Sequence, residues 1–384
     1  MRAHARLRLL LPVVAAVLTA APALAAVPTS GSAEPPAAVG GSALATRGLV
    51  AGVAPGVPAV PTVSASSYVL ADLDTGEVLA AKDPHGQYAP ASTLKSLTAL
   101  TLVPQLDPTA TVVATWDDAN VDGSKVGVQP GKRYLVSQLF EAMLMVSGND
   151  AALTLATANG GIPKTVAEMN QRAQGIGALD TVAQTPNGLD ARGQHSSAYD
   201  LALIAREGLQ LPAFAKYVSE RRSHFGALGA KPFEIYTHNK LVLRYPGAFG
   251  VKNGYTVAAR ASFVGAAQRG EHRLVVALMH ADPTVWKEAA KLLDWGFANR
   301  SRLSAVGTIT PPQPDDAITQ NRVTTSNHRG VQLQRTKSTH GDGFAVPAAP
   351  ATAAGVVLVG FFALRRASSR SRRRRGSRLR LPPI

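Results

Sequence analysis

Residues 90–100 read PASTLKSLTAL, and how one serine and one lysine in them are taken decides how the whole chain is taken. Ser92 and Lys95 lie three apart, and the apolar residues that follow recur with a helical period. Side chains three apart share a helix face, so the lysine amine can reach the serine hydroxyl. A lysine crowded away from water loses its proton more readily and can then act as a base toward that hydroxyl. Alone, the pair is a weak signal, because a capped and solvated helix start carries the same spacing.

Two further stretches need weighing. In MLMVSGNDAA, residues 143–152, Ser147-Gly148-Asn149 falls between two apolar helical segments, where glycine can end the first. An interhelix turn accounts for it equally well. In VKNGYT, residues 251–256, Asn-Gly is the commonest two-residue signal for a tight β-turn. Lys252 is then either a charge guarding a strand edge or the charged wall of a site.

Together the three carry more than any one. Ser-x-x-Lys, Ser-x-Asn and Lys-x-Gly occur in that order on helix, interhelix turn and strand, which resembles the penicillin-binding proteins and serine β-lactamases. The fuller resemblance, over about residues 63–298, is to D-alanyl-D-alanine carboxypeptidases of the low-molecular-mass penicillin-binding type. It rests also on ADLDTGEVLAAKD, TPNGLD, HSSAYDLALIAR, THNKLVLRYPGAFGVKNGYT and KLLDWGF. It implies an α+β fold of the β-lactamase/transpeptidase kind, an antiparallel sheet flanked by helices with a helical subdomain.

The resemblance also implies roles. Ser92 would be the acylated nucleophile, Lys95 its base, and Ser147 a proton shuttle to the departing amine, working with Lys252. Asn149 would hold the substrate's peptide amide, and the backbone N–H groups of Ser92 and Tyr255 would form the oxyanion hole. Lys252, Asn253, Gly254 and Tyr255 would line the substrate wall. The substrate would be peptidoglycan stem peptides ending in D-Ala-D-Ala, with β-lactams as covalent inhibitors and no metal or cofactor, in a role in cell-wall biosynthesis and cell shape. Two departures stand out. The family's third motif has threonine where this chain has Asn253, whose amide N–H₂ can also donate to a carboxylate. An arginine that the family often carries before its last helix is missing from ADPTVWKEAAKLL, where Lys287 is the nearest cation.

Charge points to topology rather than to nucleic acid. The chain of 384 residues has net charge +15, with 40 basic and 25 acidic residues. Three arginines lie in the first 25 residues and nine in the last 20, with no acid in either, so 28 basic residues face 25 acidic ones in between. Residues 1–25, basic and then apolar with Ala23-Leu24-Ala25 at the end, read as a secretory signal peptide. Residues 344–364 carry no charge and are followed by the arginine-rich tail 365–384. As a helix they would be about 30 Å long, enough to anchor an exported domain with its tail in the cytoplasm. Residues 26–62 are expected to be a disordered linker and 299–343 a stalk, with a small extra β element there as the lesser reading. No cysteine is present, which excludes disulfides and a thiol nucleophile.

The body should contain a β-hairpin at 66–83, helices through the middle, two strands joined by Arg269-Gly270-Glu271 and a last amphipathic helix. Ser197, three before Asp200, reads as a capping box. The rival functions are a β-lactamase and a non-catalytic peptidoglycan-binding scaffold. Against the first, residues 160–195 lack Glu-x-x-Leu-Asn, and the second motif has glycine rather than aspartate in the middle. The second draws on Asn253 and the missing arginine.

Overall fold

The computed structural model describes residues 38–310. The strands are β1 (Leu49–Val53), β2 (Ser67–Asp72), β3 (Glu77–Lys82), β4 (Thr111–Val113), β5 (Arg133–Leu135), β6 (Arg222–Phe225), β7 (Phe233–Tyr236), β8 (Ala248–Thr256), β9 (Arg260–Arg269), β10 (His272–Ala281), β11 (Leu303–Ser304) and β12 (Gly307–Thr308). The helices are α1 (Lys95–Leu102), α2 (Trp116–Ala119), α3 (Val136–Met145), α4 (Asn149–Ala158), α5 (Ile162–Ile176), α6 (Ala198–Leu209), α7 (Pro212–Ser219), α8 (Lys240–Arg244) and α9 (Val285–Asn299).

One antiparallel sheet runs in the order β11-β1-β3-β2-β10-β9-β8, with β12 also on β3. Its central strands are apolar on both faces because both faces are covered. Along β10, Val275, Ala277 and Met279 enter the core shared with the helical region, while Leu274, Val276 and Leu278 enter a second core under α8 and α9. In α9, Gly296 lies so close to the sheet that a methyl group there would meet Leu274 and Leu70 at 2.9–3.0 Å. The strands from the two ends of the domain complete one sheet, as the pattern of the sequence implies.

The structure widens the domain at both ends. Residues 38–62, expected as part of a disordered linker, include a 3₁₀ turn at Ser42–Ala45 with Leu44 fully buried, and β1 pairs with β3 and β11. Beyond α9, β11 and β12 join the sheet, so the small β element holds for residues 303–308 of the expected stalk. Arg300 ties this end down, with Nε 2.9 Å from the buried Asp72 and Nη2 2.6 Å from Glu77. Local composition hides such edge strands because their partners are distant in sequence. The expected leader at 1–25 and apolar span at 344–364 lie outside the described residues. Among the described residues no helix is long and apolar enough to cross a membrane.

Two local expectations also change. Asn253-Gly254 is not a turn: β8 runs straight through it, and the reversal falls at residues 257–259. Gly254 sits opposite Ser262 in the ladder, so long-range pairing overrides the turn preference of the dipeptide. Ser197 does cap α6, accepting from Asp200 N at 3.1 Å, but the Asp200 carboxylate accepts from Thr181 Oγ1 at 2.7 Å instead of closing a box. Burial pushes the Asp200 carboxyl up to about 7, with Thr181 opposing.

His85 fastens the N-terminal segment. Its Nδ1 is 2.7 Å from Asp180 Oδ2 and its Nε2 3.0 Å from the Val39 carbonyl. Both partners accept, so only the imidazolium satisfies both. Burial opposes the proton, Asp180 outweighs it, and the histidine is held above its ordinary value. A raised folded pKa gives stability that is full below the unfolded value and is lost as pH rises through the folded one. Stability to urea should therefore fall by about 1 kcal/mol or less, after solvent screening, across that rise. His85→Gln should remove that slope; an unchanged slope in the variant would refute the assignment.

Candidate active site

Ser92 sits in a 3₁₀ turn, Ala91–Leu94, that runs into α1. The turn is held from behind: Thr93 Oγ1 and Ser262 Oγ both donate to the Pro90 carbonyl at 2.6 Å. Ala91 has φ 48°, a left-handed conformation unusual for a residue with a side chain, immediately before the serine.

Lys95 is wholly buried, and its Nζ lies 2.9 Å from Ser92 Oγ, 2.6 Å from Asn149 Oδ1 and 2.5 Å from the Asn187 carbonyl. Burial first, and repulsion from Lys252 second, push its pKa well below the ordinary lysine value, against a smaller pull from Asp150. A neutral amine has two N–H groups and one lone pair. The two fixed oxygens can take the N–H groups, which leaves the lone pair for the Ser92 hydroxyl proton.

The opposite wall follows α3. Ser147 is buried, with φ 62°, in the break before α4. Among the described residues its hydroxyl makes no hydrogen bond to Lys95 or Lys252. Asn149 opens α4; its Nδ2 donates to the Asp122 carbonyl at 2.7 Å and its backbone N–H to the Ser124 carbonyl at 2.8 Å. Asn149 therefore joins the loop at 120–128 to the lysine, as well as standing where the resemblance puts a substrate contact. Asp150 locks the same loop, its carboxylate accepting from the backbone of Val126, Gly127 and Val128 at 2.8–3.0 Å.

The third side is β8, the outer strand of the sheet. Lys252 is wholly buried with Nζ 2.7 Å from the Asn253 carbonyl, and burial lowers its pKa to about 7. Lys252 is thus an interior residue rather than a solvated charge. Gly254 faces Ser92: a Cβ there would sit 2.7 Å from Ser92 N and 2.7 Å from Ser262 Oγ. Tyr255 projects outward, 61% exposed. The Asn253 amide oxygen is buried without a hydrogen-bond partner.

Thus Ser92, Lys95 and Asn149 form one hydrogen-bonded group, while Gly254 closes on Ser92 from β8. Asn187 and Asp150 take structural parts that the motif reading did not assign. Both stand inside quoted blocks, TPNGLD and VSGNDAA, yet their partners lie 92 and 22–24 residues away. Thr256 Oγ1 donates to Asp190 at 2.8 Å, bringing the end of β8 to the turn after Asn187.

A serine on a helix start, a buried amine beside it and a sheet strand closing over both define an acyl-serine hydrolase of the penicillin-binding and DD-peptidase fold. Residues 54–283 match the family described as D-alanyl-D-alanine carboxypeptidase, and the chain belongs to that family. It is 45% identical over 257 residues to D-alanyl-D-alanine carboxypeptidase DacB2 of Mycobacterium tuberculosis, covering 65% of this chain and 88% of that protein. It is 31% identical over 242 residues to DacF of Bacillus subtilis, covering 61% of this chain but only 62% of the relative. A crystal structure of a Mycobacterium tuberculosis D-alanyl-D-alanine carboxypeptidase matches with TM-score 0.64 and 44% identity, over 67% of this chain and 99% of the other. A Streptomyces DD-transpeptidase shares the fold at TM-score 0.61 and 24% identity, over 63% and 100%. The chain is a serine-type D-alanyl-D-alanine carboxypeptidase by family and fold.

Proposed function

We propose that this site removes the terminal D-alanine of peptidoglycan stem peptides with Ser92 as nucleophile and Lys95 as general base. The observation that carries the assignment is the buried Lys95 amine, hydrogen-bonded to no carboxylate among the described residues, 2.9 Å from Ser92 Oγ. Lys95 takes the hydroxyl proton as Ser92 Oγ bonds to the penultimate residue's carbonyl carbon. The tetrahedral oxygen lies against the backbone N–H groups of Ser92 and Tyr255. Its collapse breaks the peptide C–N bond, and Ser147, in relay with Lys252, returns a proton to the departing D-alanine amine. Water then hydrolyses the ester and frees Ser92. A base is typically worth about 10²–10⁴ in rate and one oxyanion donor about 10²–10³. As an edge strand, β8 can pair with an extended peptide. Asn253, turned amide-first, can donate to the substrate carboxylate.

The basic and apolar start, and the apolar stretch 344–364 ahead of an arginine-rich tail, support an exported domain tethered at the membrane beside its wall substrate.

The test is D-alanine release by the full chain from a peptide ending in D-Ala-D-Ala, with Ser92→Ala beside it, and the mass of the penicillin-treated protein. Release and a covalent adduct only with Ser92 are expected. A folded wild-type chain giving neither would sink the assignment. Fast penicillin turnover would favour the β-lactamase reading, and peptide binding without release the scaffold.

A further inference from the structure

Beside Asn253 and Gly254 lies a cavity of about 190 Å³, lined also by His238, Lys240, Tyr255, Phe263 and Trp286. Gly254 lines it and also abuts Ser92, so the cavity lies beside the strand that closes on the serine. Its lining contains no carboxylate, and its two side chains able to carry positive charge are His238 and Lys240. Lys287 does not line it; its ammonium sits 5.9 Å over the ring of neighbouring Trp286. The arginine missing before α9 is therefore not replaced from α9.

His238 is held at the rim by its backbone, whose N–H donates to the Met145 carbonyl at 2.8 Å, two residues before Ser147. We propose that His238 is a specificity residue for the carboxylate of the leaving D-alanine and takes up a proton when that carboxylate enters the cavity. The proposal rests on the assignment of Ser92 and its D-Ala-D-Ala substrate.

The surrounding groups favour such a switch. From β8 come Lys252 and Tyr255, from α8 Lys240, and from the end of α3 only a backbone carbonyl. On the α9 side, Glu288 is engaged by the Ser64 backbone N–H and Asp282 is paired with Arg260. His238 is exposed at the rim; partial desolvation of its ring first, then Lys252, holds the free histidine below its ordinary value. An arriving carboxylate has the opposite effect, since an anion beside imidazole favours its charged form. Affinity should then be greatest at low pH and fall between the free and the bound pKa. Lys240, an exposed ammonium, gives attraction without that pH dependence.

The experiment follows KM and kcat for D-alanine release by the full chain from pH 5.5 to 8.5. In the wild type KM should rise about tenfold, the worth of one unit of pKa shift. His238→Gln should show a high KM without that rise, and His238→Arg a low, flat one. Lys240→Gln should raise KM while keeping the slope. A purely structural role would change thermal stability and kcat and leave the KM slope in place. A flat wild-type KM, or a slope persisting in His238→Gln as titration of Lys252 would produce, overturns the proposal. If peptide release is absent but penicillin acylates Ser92, the same pH series on the acylation rate decides it, because penicillin also carries a carboxylate. If neither occurs, the Ser92 assignment fails and takes this proposal with it.

Discussion

Lys95→Met should slow acylation of Ser92 by about 10²–10⁴, the range for loss of a general base. The measured quantity is the second-order rate of covalent penicillin attachment at pH 7, together with D-alanine release. Methionine nearly fills the lysine's volume and removes the charge burial cost, so the fold should survive. Lys95→Arg should fail to rescue, since guanidinium keeps its proton at any relevant pH. The wild-type amine is usable because burial and Lys252 both drive its proton off. Acylation within a few-fold of wild type in Lys95→Met would remove Lys95 as the base and leave it a tether between Asn149 and Asn187.

Asp150→Ala should destabilise the chain by about 3–5 kcal/mol, because it leaves three backbone N–H groups of the loop, besides that of Ala151, without their acceptor, each costing about 1–3 kcal/mol before water recovers part. Those groups belong to Val126, Gly127 and Val128, and Asp150 is fully buried. The same loop supplies the Asp122 and Ser124 carbonyls that hold Asn149. Activity should therefore fall together with stability. Asp150→Asn keeps one acceptor oxygen and should lose less on both counts. The readouts are the urea midpoint and the penicillin acylation rate of the folded fraction. A loss of stability below 1 kcal/mol in Asp150→Ala would mean that the loop holds its shape by other contacts.

The hairpin of β2 and β3, the strands β9 and β10 and the helix α9 were legible because each announces itself locally, through alternation, a short turn or a helical period. The pairing of Ser92 with Lys95 was legible for the same reason: three residues on a helix start put them together whatever else the chain does. Order in residues 38–62, and in 303–308, was not legible. Those segments gain their structure from β3 and from each other, and the pairings of β11 with β1 and of β12 with β3 reach across more than 200 residues of chain.

By itself, then, the sequence determined the fold class, the closeness of Ser92 to Lys95 that the proposed mechanism uses, and the set of motifs that belong together. Tertiary structure alone decided that Asn253-Gly254 is strand rather than turn, because β9 supplies its ladder. It decided that Lys252 is buried, that Asn187 and Asp150 position the machinery, and that the positively chargeable side chains lining the cavity beside Asn253 come from α8 and the residue before its cap rather than from α9. Burial and long-range pairing are properties of neighbours, and the neighbours of these residues are chosen only when the chain closes on itself.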